Sequence, residues 1–314
     1  PPGEGKFPAV VLITGSGSQD RDSTVAGHRP FLVLADYLTR RGIAVLRVDD
    51  RGIGGSDVGS SSPFSATTDN FVGDVLAGVA YLKSRNDINP KQIGLIGHSE
   101  GGIIAPIAAI RSHDVAFIVM LAGSGRTGEN VILTQLALLQ KASGAKPDAI
   151  AETLEFQKSL FAIVKNEPVD KIALQKIDEM LANRKAKLDE PQRKDFARVE
   201  TSVKEQMPVI LSPWYRYFLA YDPRPTLEKV KIPVLALNGE NDLQVSSKEN
   251  LAIISAALKA GGNKDFTVRS FPKLNHLFQT SRTGMPNEYG EIEETISPSI
   301  LETISAWILR RFVK

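Results

Sequence analysis

The chain has 314 residues, 42% hydrophobic and 24% charged, which suits one large globular domain with room for an inserted subdomain. A formal net charge of +2 gives no strong pull toward nucleic acid or anionic lipid, so neither is expected as a partner. The absence of cysteine excludes thiol nucleophiles, disulfides and Cys-bound zinc or iron–sulfur clusters, and leaves the compartment open between cytoplasm and periplasm or secretion.

No stretch approaches the roughly 18 to 20 apolar residues of a membrane-spanning helix. The chain opens Pro1-Pro2-Gly3-Glu4-Gly5 without an apolar signal core, so a segment is expected ahead of Pro1. In chain order, apolar β-branched runs predict strands over Ala9–Thr14, Ile43–Val48, Gln92–Ile96 and Ala116–Leu121. Helical spacing over Pro30–Arg41, Asp69–Arg85 and Gly101–Ser112 fills the intervals, with a kink expected at Pro106. Continuous apolar strands alternating with helices predict an α/β fold with a mostly parallel sheet covered on both faces.

From 126 to 222 the pattern changes to Lys- and Glu-rich amphipathic stretches broken at Pro147, Pro168, Pro191 and Pro208, which predicts an inserted set of helices. The first pattern then resumes, giving a core of residues 1–125 and 223–314. Strands are expected over Ile232–Leu237 and Asp265–Phe271, and helices over Ser246–Ala260 and Pro298–Phe312. A capping box of Ser246 with Glu249 and a C′ glycine at Gly261 are expected to bound the first of these helices. Ser297-Pro298 opens the second, whose Ile300, Leu301, Ile304, Trp307 and Ile308 form a core-facing stripe.

The stretch Gly97-His98-Ser99-Glu100-Gly101 is G-x-S-x-G set between a strand and a helix, the context of a nucleophile elbow. Such a turn is strained and tolerates only small neighbours, and it lifts the serine Oγ off the end of the sheet. Ser99 is therefore the candidate nucleophile, with the Glu100 N–H at a helix N-terminus ready to stabilise negative charge. A base must be one of His28, His98, His113 and His276. Only His276 follows the last predicted strand, in the order nucleophile, acid, histidine expected with such an elbow. The acid is expected in Gly239-Glu240-Asn241-Asp242, where Asp242 is preferred and Glu240 competes. The second oxyanion donor is placed in the loop after the first strand, Thr14-Gly15-Ser16-Gly17-Ser18, at the N–H of Ser16, with Gly17 as the alternative and a neighbour of bound substrate. Because that donor is main-chain, truncating the Ser16 side chain is expected to be milder than loss of Ser99.

On these residues the chain resembles the α/β-hydrolase superfamily over nearly its whole length, and within it bacterial carboxylesterases of the serine-aminopeptidase-like (S33) and dienelactone-hydrolase-like groups. Asp49-Asp50-Arg51-Gly52-Ile53-Gly54-Gly55-Ser56 matches that group's D-x-R-G-x-G-x-S loop, and the oxyanion loop through Asp22 is similar to that of a thermophilic-type esterase subgroup. The resemblance implies a helical cap formed by the insert, no cofactor, and an antiparallel hairpin ahead of the first strand. The chain departs from it in having Thr14-Gly15 where His-Gly is common.

Gly52-Ile53-Gly54-Gly55 lacks the third glycine of a dinucleotide fingerprint, and four scattered histidines argue against a metal site. Asp20-Arg21-Asp22 is expected either to bridge to Arg51 or to be solvated. Trp214, Tyr215 and Phe218 are candidate substrate-binding residues or, alternatively, packing residues between insert and core. Arg216 is read as an internal ion pair ahead of a carboxylate-binding group. The expected partner is a small ester of short- to medium-chain or aryl type, and a homodimer is allowed for. A peptidase would need an acidic group for the substrate ammonium, for which Glu100 and Glu288 are the candidates, and a binding protein on the same scaffold is the reading from another class.

Overall fold

A computed structural model describes residues 1–58 and 65–312. Six strands, β1 (Phe7–Ile13), β2 (Ala44–Leu46), β3 (Ile88–His98), β4 (Phe117–Leu121), β5 (Val234–Gly239) and β6 (Phe266–Phe271), form one parallel sheet in the order β2-β1-β3-β4-β5-β6. Around it lie α1 (Pro30–Thr39), α2 (Thr68–Ser84) and α3 (Gly101–Arg111), and later α10 (Arg224–Leu227), α11 (Ser247–Ala260) and α12 (Pro298–Phe312).

β1 and β4 are apolar throughout because both faces are covered, whereas the edge strand β6 carries Thr267, Arg269 and Ser270. Along β1, Ala9, Val11 and Ile13 join the layer beneath α2, α3 and α11, while the alternate residues Val10 and Leu12 join Phe31 and Leu34 of α1 and Ile300 and Ile304 of α12. Each such fully buried aliphatic side chain stabilises the fold by roughly 1.5–3 kcal/mol relative to exposure. The chain steps from β1 outward to β2, then returns past β1 to β3 and on toward β6. Strand order therefore reverses between β1 and β3, and a crevice opens beyond their carboxyl ends. Those ends carry Thr14–Ser18 and Ser99.

Between β4 and β5 the chain forms α4 (Gly128–Ala142), α5 (Pro147–Asn166), α6 (Asp170–Ala186), α7 (Glu190–Glu205), α8 (Met207–Ile210) and α9 (Pro213–Ala220). Each proline expected as a break lies in a first turn or a linker: Pro147, Pro191 and Pro208 begin helices, and Pro168 lies between α5 and α6. These helices have their own core, built on Leu160, Phe161, Ile177, Leu181, Phe196 and Ile210.

Some local expectations are corrected. Ser246 makes no side-chain cap bond, and Glu249 pairs with Arg126 instead. Gly261 is right-handed (φ −71°), and the left-handed residue is Gly262 (φ +77°). Gly261 answers a different need, since a Cβ there would stand 1.9 Å from the Glu228 carbonyl oxygen. Pro106 lies inside α3, as expected from the sequence.

The elbow explains its own glycines. Ser99 has φ +55°, a left-handed backbone that costs a non-glycine residue on the order of 1–3 kcal/mol. A Cβ at Gly97 would meet the Gly101 oxygen at 1.9 Å, one at Gly101 the Ile13 oxygen at 2.3 Å, and one at Gly102 the Gly123 Cα at 2.7 Å. Gly97→Ala is accordingly expected to destabilise by roughly 3 kcal/mol or more. Gly73→Ala, in α2 with nothing within 4 Å of the added atom, should gain up to about 1 kcal/mol. Urea midpoints of the two variants would check this, and similar midpoints would contradict it.

Candidate active site

The His276 loop follows β6, and the Asp242 loop follows the adjacent β5. His276 Nδ1 lies 2.8 Å from Asp242 Oδ2, both side chains being 5% exposed or less. The other carboxylate oxygen accepts the backbone N–H groups of Gln244 and Val245, each at 2.8 Å. A carboxylate oxygen facing Nδ1 fixes the proton there and leaves Nε2 with its lone pair. Glu240, the competing acid, is exposed and accepts from Ser270 Oγ.

His98 holds the backbone of His276. Its Nε2–H donates to the His276 carbonyl at 2.9 Å, and the two rings lie 4.8 Å apart. Burial, with His276 alongside, lowers the His98 pKa to about 4, so the ring is neutral at pH 7 and its single proton sits on Nε2. This contact brings His276 over the residue that precedes Ser99. His28 instead braces the loop behind the site, bonding Thr295 Oγ1 and the Tyr289 carbonyl.

The loop after β1 is held at both ends and in the middle. The Asp50 carboxylate accepts from Thr14 Oγ1 (2.8 Å) and from the Gln19 N–H (2.8 Å). The Ser16 hydroxyl donates to Glu100 Oε2 at 2.8 Å, and the Ser16 carbonyl accepts from Gln19 Nε2. A Cβ at Gly15 would stand 3.2 Å from the Ser99 Cβ, so the loop lies directly against the elbow. Asp50 was not singled out from the sequence, although its place in Asp49-Asp50-Arg51 after a strand was the available signal.

Neighbouring ion pairs shape the floor. Arg21 grips Asp49 through its backbone and guanidinium nitrogens, holding that carboxyl well below the usual range. Arg51 pairs with Asp74, so the expected bridge from Asp20-Arg21-Asp22 to Arg51 does not form; Asp22 pairs with Arg47.

A cavity of about 660 Å³ adjoins the loop, with Gly15, Gly17, Glu100, Ile104 and Trp214 in its wall and Leu46 and Tyr81 further along. Trp214 Nε1–H donates to Glu100. Tyr215 and Phe218 do not line this cavity. Tyr215 packs on Phe161 within the helical insert, where burial raises its pKa to about 12, and Phe218 stacks on Trp214 and lies against the main core. Arg216 is an internal tie, bonding the Leu211, Val164 and Glu167 carbonyls and Asp170.

A serine elbow after β3 and a buried histidine–carboxylate pair on the loops after β5 and β6, on a parallel sheet of this order, mark an α/β-hydrolase. Solved structures agree on the fold: an esterase of Pyrococcus furiosus (TM-score 0.57, 16% identity, 99% of this chain and 84% of that one) and the α/β hydrolase GrgF of Penicillium sp. sh18 (TM-score 0.56, 16% identity, 100% and 93%). The chain belongs to the Serine aminopeptidase, S33 family, whose model matches residues 29–281. It is 28% identical over 313 residues to Esterase EstD of Thermotoga maritima, covering 99% of this chain but only 64% of that protein's length.

Burial raises the Asp50 pKa to about 6, with the charges of Glu100 and Asp74 adding to it. The folded value exceeds the unfolded one near 3.8, so the native state holds more proton and this group's penalty grows as pH rises between about 4 and 6. Asp50→Asn lacks that penalty. Its melting temperature relative to wild type should be more favourable at pH 7.5 than at pH 4.5, and an equal difference at both would contradict the assignment.

Proposed function

We propose that the chain is a serine carboxylesterase acting on short- to medium-chain or aryl esters, with Ser99 as nucleophile, His276 as general base and Asp242 as the group that orients it. The observation that carries the reading is the buried His276–Asp242 hydrogen bond beside an elbow serine held at φ +55°. Ser99 Oγ attacks the ester carbonyl while His276 Nε2 takes its proton, and Asp242 stabilises the imidazolium without becoming protonated. The N–H groups of Ser16 and Glu100 receive the oxyanion. Collapse of the tetrahedral intermediate expels the alcohol, which takes the proton from His276. A water activated by the same base then hydrolyses the acyl-enzyme.

Residues 126–222 act in this reading as a cap over a core of residues 1–125 and 223–314. Trp214 and Gly17 meet the substrate where the cap reaches the oxyanion loop, and the apolar wall of the cavity suits an uncharged acyl or aryl group. The similarity to a relative named an esterase supports ester chemistry.

The family's description names an aminopeptidase, which would need an acidic group left over for a substrate ammonium. Both candidates are engaged. The Glu100 oxygens accept from Ser16, Thr68 and Trp214, and Glu288 accepts the N–H groups of Thr283 and Gly284. The ester reading is the better supported.

Wild type is expected to turn over p-nitrophenyl butyrate and to prefer it to an aminoacyl p-nitroanilide. Ser99→Ala and His276→Ala should each lose about a thousandfold or more, and the double variant little beyond either single one, because the two act as a unit. Faster anilide cleavage would instead support the peptidase. A folded wild type that neither hydrolyses the ester nor is labelled at Ser99 by a fluorophosphonate would leave a binding protein.

A further inference from the structure

Glu100 does more than offer its N–H. Its side chain is 3% exposed, yet its direct partners are neutral hydroxyl and indole donors. Oε1 accepts from Thr68 Oγ1 at 2.7 Å and from Trp214 Nε1 at 2.9 Å, and Oε2 accepts from Ser16 Oγ at 2.8 Å. These donors stand on three separate pieces of the molecule: the oxyanion loop, the start of α2, and α9 of the insert. The carboxylate itself belongs to the residue after Ser99, at the N-terminus of α3, where a helix favours negative charge.

A buried carboxylate deprived of a donor is costlier than a neutral group in the same position, because hydrogen bonds to ionised groups are the stronger ones. The three contacts are therefore coupled, and a displacement of Trp214 changes how firmly Ser16 is held. We infer that the Glu100 side chain is a positioning residue that latches the helical insert to the oxyanion loop, so that the Ser16 N–H is set in register only when Trp214 is docked. The inference rests on the reading of Ser99 as nucleophile. It also modifies one expectation from sequence: the Ser16 side chain matters, through Glu100, although the donor is main-chain.

The three donors give the test its controls. Ser16→Ala is expected to lower kcat for p-nitrophenyl butyrate about tenfold with little change in KM, the size of one lost charge-assisted bond. Trp214→Phe, which removes the N–H but keeps a ring, should lower kcat as Ser16→Ala does and, because Trp214 lines the cavity, should also raise KM. Thr68→Val removes a donor from neither the loop nor the insert and should lower the urea midpoint without this kinetic pattern. In a Glu100→Gln background, Ser16→Ala should cost little more, since its partner has already been changed. A carboxylate that is merely structural would give equal stability losses for all three donors, no split between kcat and KM, and additive double variants, and that result overturns the latch.

A second readout does not depend on turnover. Trp307 packs in the core against Phe117, so Trp307→Phe leaves Trp214 as the one tryptophan. Adding Glu100→Gln should shift its emission maximum, as the charged acceptor of the indole N–H becomes a weaker neutral one. Should wild type prove inert toward esters, the esterase reading fails, while an unshifted spectrum independently overturns the latch.

Discussion

The site depends on a steric constraint before any charge is considered. At the end of β3 the backbone must turn from strand to helix within Gly97–Gly102 while wedged between the ends of β1 and β4. Gly101 lies under the Ile13 oxygen, Gly102 touches Gly123, and Gly97 touches Gly101, with no space for a methyl group at any of the three. Ser99 is pinned by its N–H bond to the Leu121 carbonyl and by its own carbonyl's bond from Gly102 N–H. Its left-handed conformation is thus paid for by the sheet, whose cooperative packing exceeds the local strain. The strain persists because relaxing it would separate strands.

Around that turn the electrostatic arrangement follows one rule. Asp49, Asp50, Glu100 and Asp242 all lie beyond the carboxyl ends of strands, and each is satisfied differently. Asp49 has Arg21, Asp242 has two backbone N–H groups and His276, and Asp50 and Glu100 have hydroxyl, amide or indole donors. The difference has consequences. A guanidinium pulls Asp49 down, whereas Asp50, buried and facing Glu100, is pushed up to about 6. Carboxylates held by neutral donors tie loops together without a guanidinium or ammonium among their direct partners.

Much of this was legible in the sequence, and the limits have physical reasons. G-x-S-x-G was readable because sterics at the elbow act on adjacent residues, so spacing and chemistry coincide. The alternation of strand and helix was readable for the same local reason, and the strand limits moved by only a few residues except in β3, which begins at Ile88 because it pairs there with Phe7. His98 was passed over because its partner is a carbonyl 178 residues away, and a backbone acceptor leaves no trace in sequence. The bridge expected from Asp20-Arg21-Asp22 to Arg51 is replaced by Arg21–Asp49 and Asp22–Arg47, because Asp49 also takes the Gly55 N–H and Arg51 is turned to Asp74. Gly261 was read as a conformational glycine when its real constraint is contact with Glu228, and the two look identical in sequence.

The insert shows how a large addition can be tolerated without disturbing the elbow. It leaves after β4 and returns before β5, and its two roots are fastened to each other: a Cβ at Gly128, the first residue of α4, would collide with the Phe218 carbonyl of α9 at 2.2 Å. The departing strand end is tied to α11 as well, through Asn250, whose side-chain oxygen accepts from Ser124 Oγ and the Gly125 N–H. Closing the loop at its base means that the core sees a short connection, whatever the length beyond it. Motion of α6 and α7, which pack mainly on the insert's own core, then need not propagate to β4 or β5. It can propagate where α9 meets Glu100. α9 also packs on α2 and, through Phe218, on the main core, but its hydrogen bond to the elbow is made by one indole. Coupling of the proposed cap to the proposed oxyanion loop would therefore run through that bond rather than through any large rearrangement of the sheet.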